Sequence, residues 1–335
     1  MLSAIHHDVL NRLLDENARF ALDAKGTTNH LPMVLVALAR MGATPARLQE
    51  HFDFWVETYA IEEVNPELSL SAENWNIFVG VPEAFGSLQR YFSQWVASSD
   101  ASTVIQSVLR KVPFAPATQA FHAIIRIAYG LESANASEIA AGLAAYVATN
   151  LSCEIDFSDR PKAASVKEGL RLLSDRFCGS TWPHGSITGK LGAIASNQAF
   201  LDELRLPPMD SGFLDELARA AIDLYWQTSD FTVLHMVTGT YAARLLLAGV
   251  PADLAEQFYP SLWTAMAAAY VSVGAPRERS LELPEQVMEW EDILALAIDS
   301  MDDHVIKMVY TSHIESLGSD DPLYRAAASR LVQAC

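Results

Sequence analysis

Apolar residues recur at intervals of three and four positions along most of this chain, which is the pattern of helices that bury one face. The segments that show it are Ile5–Ala24, Leu31–Met41, Phe85–Ala97, Ala117–Leu131, Ser137–Ala148, Ala164–Phe177, Leu191–Leu204, Phe213–Trp226, Phe231–Ala248, Ala252–Val271, Pro284–Ile298, His304–Leu317 and Tyr324–Val332. Alternating residues of the kind that form sheets are confined to short pieces, of which Trp75–Val81 is a candidate for extended chain. The pattern therefore predicts an all-α protein.

Residues that favour helix ends stand at several of these boundaries. Asn29 is placed to cap the helix that follows it. Gly42, Gly130 and Gly249 each follow an apolar stretch, at a position where a helix can end. The stretches between the helical segments are neither long nor polar enough to be clear domain linkers. We therefore expect one large all-α domain over residues 1–335.

The composition is that of a compact protein, since 50% of the 335 residues are hydrophobic and 19% are charged. The net charge of −18, from 23 basic and 41 acidic residues, argues against a nucleic-acid partner and against anionic membranes. Three cysteines without a CxxC pair do not make a disulfide framework. The N-terminal segment has no apolar run of the kind found in signal peptides, so a cytoplasmic protein is expected.

The most apolar stretch of the chain is Phe231–Val250, which contains His235 and Arg244 and is predicted to be a buried helix rather than a membrane span. The sequence contains no GxGxxG after a strand, no GxxxxGK[ST] and no GxSxG. Any redox chemistry must therefore proceed without a flavin or nicotinamide bound in the usual way.

Four of the nine histidines lie inside apolar, helix-patterned stretches: His30, His122, His235 and His304. A buried imidazole needs a polar partner, and a backbone carbonyl can supply one for any single histidine. Four such residues in one helical protein favour a shared explanation, because neutral imidazole is the commonest metal ligand and helical domains build metal sites from facing helices. The sequence therefore predicts a metal site between helices.

Other histidines are predicted to lie outside this site. His6 and His7 are adjacent near the N-terminus, so at most one of them can face the protein. His51 follows Glu50, and His184 lies between a proline and a glycine, which indicates surface or loop positions.

His304 and Lys307 are three residues apart and share one face of a predicted helix. Asp303 precedes Lys307 by four residues, the order that favours an ion pair along a helix, and such a pair is one interpretation. The run Val305–Val309 is apolar, so Lys307 can instead be buried, which lowers the pKa of its amine. A neutral amine reacts with carbon dioxide to form a carbamate, which would supply an oxygen ligand to a metal.

Carboxylates and aromatic residues near these segments can complete such a site. The candidates for orienting imidazole N–H groups are Asp303, Glu132 and Glu315. The candidates for lining an aromatic-substrate pocket, each of which can equally pack in the core, are Trp55, Tyr59, Tyr129, Trp226 and Trp263.

In their order and spacing, the histidine segments resemble the questin oxidase family over nearly the whole chain. The segments that carry the resemblance are Asn29-His30-Leu31-Pro32, Phe121-His122 with Tyr129-Gly130, Leu234-His235-Met236-Val237 and Asp303-His304-Val305-Ile306-Lys307. The last looks like the family's HxxK element, its most specific motif. The chain departs from the fungal relatives at Arg126, where a second histidine is common, and in its shorter length. These differences affect the expected substrate more than the expected metal.

The resemblance implies an oxidoreductase, a mono- or dioxygenase, that acts with dioxygen on a quinone- or phenol-type aromatic molecule. Fungal relatives open the ring of anthraquinones, and some are described as Baeyer–Villiger-type oxidases that use NADPH. A related member is understood as a non-haem iron dioxygenase with four histidines and a carboxylated lysine on the metal. Carried over by matching segments, the ligands of Fe(II) here would be His30, His122, His235, His304 and Lys307. A requirement for NADPH stays open.

Two other functions remain open from the sequence. Imidazole also binds zinc, so a zinc-dependent hydrolase or lyase can use the same ligands, although the chain has no HExxH motif. A non-catalytic helical binding protein would keep the four histidines as core residues bonded to backbone carbonyls. The oligomeric state is not indicated.

Overall fold

The fold is all-α, as the periodicity predicts. The computed structural model describes residues 4–63, 67–158, 160–183, 185–279, 282–284 and 286–334. Helices make up 66% of the chain, and the only strands in the described ranges form a two-stranded hairpin of β1 (Asp23–Ala24) and β2 (Thr27–Thr28). The helices are α1 (Ala4–Asn17), α2 (Leu31–Met41), α3 (Pro45–Tyr59), α4 (Phe85–Ser98), α5 (Ala101–Leu109), α6 (His122–Ser133), α7 (Ala136–Ala148), α8 (Val166–Phe177), α9 (Ile187–Ala195), α10 (Gln198–Glu203), α11 (Phe213–Thr228), α12 (Phe231–Ala248), α13 (Ala252–Ser272), α14 (Trp290–Asp299), α15 (Asp303–Leu317) and α16 (Leu323–Gln333).

The periodicity located most helices but missed some boundaries. The bounds of α2 and α12 are those predicted, whereas α3 and α5 were not anticipated. The predicted helix Leu191–Leu204 is divided into α9 and α10, with Asn197 capping the second. The segment Trp75–Val81 is not extended, because it begins with a 3-10 helix at Trp75–Phe78.

Two of the predicted helix ends are wrong. Asn29 does not cap α2, since its side chain donates to Asn17 Oδ1 at 3.1 Å and to the carbonyl of Ala21 at 3.3 Å. His30 takes the N-cap position instead, without a side-chain capping bond. Gly130 lies inside α6 rather than at its end. Gly42 and Gly249 do stand at the C-terminal caps of α2 and α12.

Gly130 and Gly142 allow α6 and α7 to pack with their backbones almost in contact. A Cβ at Gly130 would lie 2.7 Å from the backbone nitrogen of Ile139, and one at Gly142 would lie 2.6 Å from that of Ile127. Backbone atoms cannot move aside as a flexible side chain can. These glycines therefore set the position of α6, the helix that begins with His122.

We expect Gly142→Ala to destabilise the protein by about 1–3 kcal/mol, because the added methyl group overpacks a helix contact. Equilibrium denaturation in urea measures the change. Gly185→Ala is the control, since a Cβ there meets nothing within 4 Å. An unchanged unfolding midpoint for Gly142→Ala would show that the two helices separate without cost.

Four helices enclose the centre of the protein in a closed ring of contacts. The pairs in contact are α2 with α6, α6 with α12, α12 with α15 and α15 with α2. Each of these helices carries one of the four candidate histidines. Most buried apolar side chains of the described residues belong to one contiguous cluster around them. The ring is therefore part of the hydrophobic core.

Helix α12 is the longest of the four, with 18 residues. By length and composition alone it could cross a membrane, but 78% of it is buried inside the protein. This burial agrees with the prediction of a core helix.

Candidate functional site

The four candidate histidines meet near the N-terminal ends of the four helices of the ring. The ring centroids of His30 and His122 are 4.7 Å apart, and those of His122 and His235 are 4.8 Å apart. His304 closes the circle, at 5.5 Å from His235 and 4.7 Å from His30. The set of histidines that the sequence selected is therefore one cluster, referred to below as the imidazole cluster.

The Nδ1 atoms of the imidazole cluster face the protein backbone or a carboxylate. His122 Nδ1 lies 2.5 Å from the carbonyl of Gln119, and His235 Nδ1 lies 2.7 Å from the carbonyl of Phe231. Because a carbonyl only accepts, each of these Nδ1 atoms carries the proton. Neutral imidazole has one N–H, so the lone pair of these rings is on Nε2.

The Nε2 atoms of His122, His235 and His304 are buried and have no hydrogen-bond partner. A buried acceptor without a partner costs free energy, so three of them side by side require an explanation. Lone pairs on Nε2, with Nδ1 held by an oxygen, are the arrangement of histidines that bind a metal.

Burial keeps these imidazoles neutral. It is the largest effect on His30, whose pKa falls to about 3, and the nearby Lys307 lowers it further. Burial also places the pKa values of His122 and His235 well below the usual value, and it lowers that of His304. Neutral imidazole is the form that a metal binds.

The spacing of the rings fits a shared ion. With a metal–nitrogen distance of about 2.1 Å, two neighbouring imidazole ligands have centroids roughly 4.5–5.3 Å apart. The observed separations of 4.7–5.5 Å are close to this range. Across the described residues, however, no group of three His, Cys, Asp or Glu side chains already has the arrangement of a metal site. Side-chain rotations are therefore needed to direct the Nε2 atoms at one point.

The start of α6 places His122 by a strained turn. Gln119, Ala120 and Phe121 have φ values of 51°, 55° and 71°, in the left-handed region that side chains rarely adopt. Phe121 packs on Gly239 of α12, where a Cβ would lie 2.9 Å from its ring. Because of this turn, α6 begins at residue 122 rather than at the predicted Ala117. The turn also places the carbonyl of Gln119 next to Nδ1 of His122. Such strain is often found at functional sites.

Lys307 is buried beside the imidazole cluster. Only 2% of the residue is exposed, and burial lowers the pKa of its amine to about 8 although Asp303 opposes this. The sequence left open an ion pair between these two residues. No such pair within 4 Å is found among the described residues, because the Asp303 carboxylate faces the other way, toward α2 and α3.

The carboxylate of Asp303 accepts hydrogen bonds from three side chains that belong to two other helices. Its carboxylate oxygens lie 3.3 Å from His30 Nδ1, from His51 Nε2 and from the indole nitrogen of Trp55. Burial opposes its ionisation, but the hydrogen bonds from His30 and His51 outweigh this and hold its pKa well below the usual range. Asp303 is thus the carboxylate that orients a site histidine, as one of the sequence candidates anticipated.

The prediction that His51 lies at the surface is wrong, since the residue is fully buried. Its position on α3 puts its ring against Asp303, 252 residues later in the chain. Because α3 was not predicted as a helix, His51 was not assigned to the buried face of one. The buried Trp55, one turn further along α3, is its neighbour on the same face and could have indicated it.

We expect Asp303→Asn to weaken metal binding about 10- to 100-fold, the usual effect of removing the partner of a metal-ligating histidine. An amide has one acceptor oxygen for three donors, and its NH2 group must face one of them. Titration of the metal-free protein with ferrous iron measures the affinity. Asp53→Asn is the control, because Asp53 is exposed on the outer face of α3. Equal affinities for the two variants would exclude this role for Asp303.

The other candidates from the sequence lie elsewhere. Glu132 and Glu315 contact tyrosine and arginine side chains and no histidine of the cluster. Trp263 donates to the carbonyl of Arg205, and Trp226 lies under Arg330. Two cavities of about 710 and 680 Å³ in the described part of the chain are lined by none of Trp55, Tyr59, Tyr129, Trp226 and Trp263. His184 and Cys335 fall outside the described residues.

The imidazole cluster reaches the surface at Phe231 and His304. Phe231 is 52% exposed, and its ring centroid lies 4.8 Å from that of His235 and 4.5 Å from that of His304. The side chain of His304 is 20% exposed, whereas that of His30 is 3% exposed. The cluster is therefore nearest to solvent at His304 and Phe231.

The described residues thus define a class: an all-helical protein with a buried cluster of four neutral imidazoles and a neighbouring buried amine. The chain belongs to the Questin oxidase-like family, whose family model matches residues 27–312 of 335. This match confirms the resemblance found in the histidine segments, and the family name indicates an oxidoreductase that acts on an aromatic compound. A search of curated proteins finds no match.

Proposed function

We propose that the protein is an iron-dependent oxygenase that acts on a phenol- or quinone-type aromatic molecule, by ring cleavage or by Baeyer–Villiger-type oxygen insertion. The observation that carries this proposal is the set of three buried Nε2 atoms, of His122, His235 and His304, that have no partner. Their Nδ1 atoms face oxygen atoms, which leaves the Nε2 lone pairs available to a metal. The family membership supports the oxidative chemistry.

The residues that would hold Fe(II) are His30, His122, His235, His304 and Lys307. When bound, the iron supplies the activation of dioxygen toward an electron-rich aromatic substrate. Zinc suits the same imidazoles, so the ligand types alone do not select the metal.

Lys307 contributes an amine that is partly neutral under physiological conditions. With a pKa of about 8, about a tenth of the amines are neutral at pH 7, far more than for an exposed lysine. The neutral amine forms a bond from Nζ to the carbon of carbon dioxide and releases one proton. The resulting carbamate carries a negative charge in place of the positive charge of the ammonium. This change favours a cation beside the neutral imidazoles.

Phe231 provides the contact for the substrate. Its half-exposed ring stands against two histidines of the cluster. Aromatic rings stack or meet edge to face at centroid distances of about 4.5–7 Å. An aromatic molecule that packs on Phe231 is therefore held next to His304, the most exposed of the four histidines.

The test is to remove metals with a chelator, load the protein anaerobically with ferrous iron or with zinc, and measure bound metal and dioxygen uptake. A panel of hydroquinones, catechols and anthrahydroquinones serves as substrate. We expect about one iron per chain, the stoichiometry of a single five-ligand site, and dioxygen uptake that zinc does not support. Substrate turnover without dioxygen uptake in the zinc form would favour a hydrolase or lyase.

One observation favours the non-catalytic alternative: the bonds of His122 and His235 to backbone carbonyls are those of core histidines. In that case the protein binds no metal, and replacing each histidine by glutamine reduces stability only modestly. Absence of bound iron after loading would support this alternative and exclude the oxygenase.

A further inference from the structure

A second polar cluster lies in the core, beyond the imidazole cluster. Tyr129, Tyr241 and Tyr310 are almost fully buried, and each ring contacts the other two edge to face. The centroid distances are 5.8 Å from Tyr129 to Tyr310, 6.2 Å from Tyr241 to Tyr310 and 6.3 Å from Tyr129 to Tyr241. We refer to these residues as the tyrosine triad.

The tyrosine triad is built on three of the helices that carry the imidazole cluster. Each tyrosine follows a site histidine by six or seven residues on the same helix, a rise of about 9–10 Å. The pairs are His122 and Tyr129, His235 and Tyr241, and His304 and Tyr310. On α15, Lys307 and Tyr310 are three residues apart and so are neighbours on one face. The triad therefore lies nearly two helical turns from the imidazole cluster and one turn from Lys307.

Two phenols of the triad share one proton acceptor. Tyr310 donates a hydrogen bond to Glu132 Oε1, and Tyr241 donates to Glu132 Oε2 at 3.3 Å. Arg40 holds the same carboxylate, with its Nε at 3.4 Å from Oε1. Burial and the charge of Glu132 raise the pKa of both phenols, so they remain protonated donors. A tyrosine that gives up an electron must also lose its proton, and Glu132 is positioned to take it.

The triad borders a cavity at Tyr241. Tyr241 lines a cavity of about 710 Å³ between α11, α12, α15 and α16. Four carboxylates and two guanidinium groups line this cavity, which disfavours anionic ligands. These charged residues are Asp215, Glu315, Asp320, Asp321, Arg219 and Arg244. Tyr324 contributes a second phenol to the wall, but it has no ring contact with the triad in the described part of the chain.

We propose that the tyrosine triad and Glu132 form a proton-coupled electron relay between the imidazole cluster and this cavity, and that the cavity takes a neutral hydroquinone as the electron donor. This inference rests on the proposed function, since the relay serves an oxidised metal centre at the cluster. Its role is to return an electron to that centre when it is left oxidised without substrate.

The electrons and protons balance in three steps. Tyr310 gives one electron to the oxidised metal centre and its phenol proton to Glu132. Tyr241 then gives one electron to the Tyr310 radical, Tyr310 recovers the proton from Glu132, and the proton of Tyr241 replaces it there. The hydroquinone transfers one hydrogen atom to Tyr241 and leaves as its one-electron oxidation product. The proton on Glu132 is released to the water of the cavity.

The relay can be tested in the metal-free protein by light. A ruthenium polypyridyl label is attached to Asp320→Cys at the cavity, in a background with Cys178→Ser and Cys335→Ser; Cys153 is buried and stays unlabelled. After a flash with an oxidative quencher, the label takes an electron from the protein. Electron paramagnetic resonance and transient absorption report the tyrosyl radical.

We expect Tyr241→Phe to lower the radical yield at least about tenfold, and Glu132→Gln to slow radical formation by about tenfold, because a neutral amide is a much weaker proton acceptor. Glu132→Gln should also abolish the solvent deuterium isotope effect. Tyr310→Phe, a conservative change that keeps the ring, should alter the radical spectrum by removing one site of the triad. Added hydroquinone should quench the radical with saturation, as a bound donor does.

The matched control is Tyr324→Phe, which removes a phenol from the same cavity and should leave the yield unchanged. The relay is overturned if Tyr324→Phe lowers the yield as much as Tyr241→Phe, or if Glu132→Gln has no effect. Quenching that rises linearly with hydroquinone overturns the donor site. Because no metal is present, the result is independent of the iron-loading experiment. A relay in a protein that binds no iron would contradict the proposed function alone.

Discussion

Replacing His235 with alanine should abolish iron binding while leaving the helical fold in place. The ring of His235 lies between those of His122 and His304 in the cluster, and its Nε2 is one of the three buried acceptors without a partner. Losing one of the proposed ligands removes a metal–nitrogen bond, and alanine has no atom that can replace it. We expect metal analysis after anaerobic loading to fall from about one iron per chain to a background level.

The control for this substitution is His313→Ala. His313 lies on α15 and packs against Trp290, away from the cluster. It should retain full iron content and dioxygen uptake. Circular dichroism should show native helix content in both variants, because truncating one buried side chain costs about 2–5 kcal/mol and does not unfold most proteins of this size. Normal iron content in His235→Ala would exclude this residue as a ligand.

Replacing Lys307 with methionine should abolish activity and, in the metal-free protein, increase stability at neutral pH. The activity is lost because methionine cannot form a carbamate, and added bicarbonate should not restore it. The wild-type protein should show a carbon-13 carbamate resonance when it is given labelled bicarbonate, and the variant should not. Lys190→Met is the control, since this lysine lies on α9, a helix that carries no histidine of the cluster. Full activity in Lys307→Met would exclude the carbamate.

The stability change follows from proton linkage. The pKa of Lys307 is about 8 in the folded protein and 10.5 in the unfolded chain, so between these values the unfolded chain binds more protons. The free energy of unfolding therefore rises with pH from about 8 to 10.5. Below this window, the folded protein is destabilised by about 3 kcal/mol relative to a neutral side chain, at about 1.4 kcal/mol per pKa unit. Urea denaturation at pH 7 and pH 10.5 should show that the advantage of Lys307→Met is lost at the higher pH.

The periodicity of apolar residues determined the fold class and most helices, because a helix that buries one face must repeat its apolar positions every three to four residues. The bounds of α2 and α12 follow from this alone. The periodicity failed at α3, where the buried positions are fewer and charged residues intervene. It also failed at the start of α6, where Phe121 has a left-handed conformation and packs on Gly239 of α12. No local pattern of residues encodes a contact with another helix.

The sequence by itself also determined which histidines to consider, since an imidazole in an apolar helix must find a partner inside the protein. Only the tertiary structure decided that they meet, because their mutual distances depend on how α2, α6, α12 and α15 close into a ring. The tertiary structure also decided that the Asp303 carboxylate contacts His30 and His51 rather than Lys307, because the donors for that carboxylate come from other helices. Helix formation is governed by neighbours in the chain, whereas the chemistry of this site depends on residues that are as many as 252 positions apart.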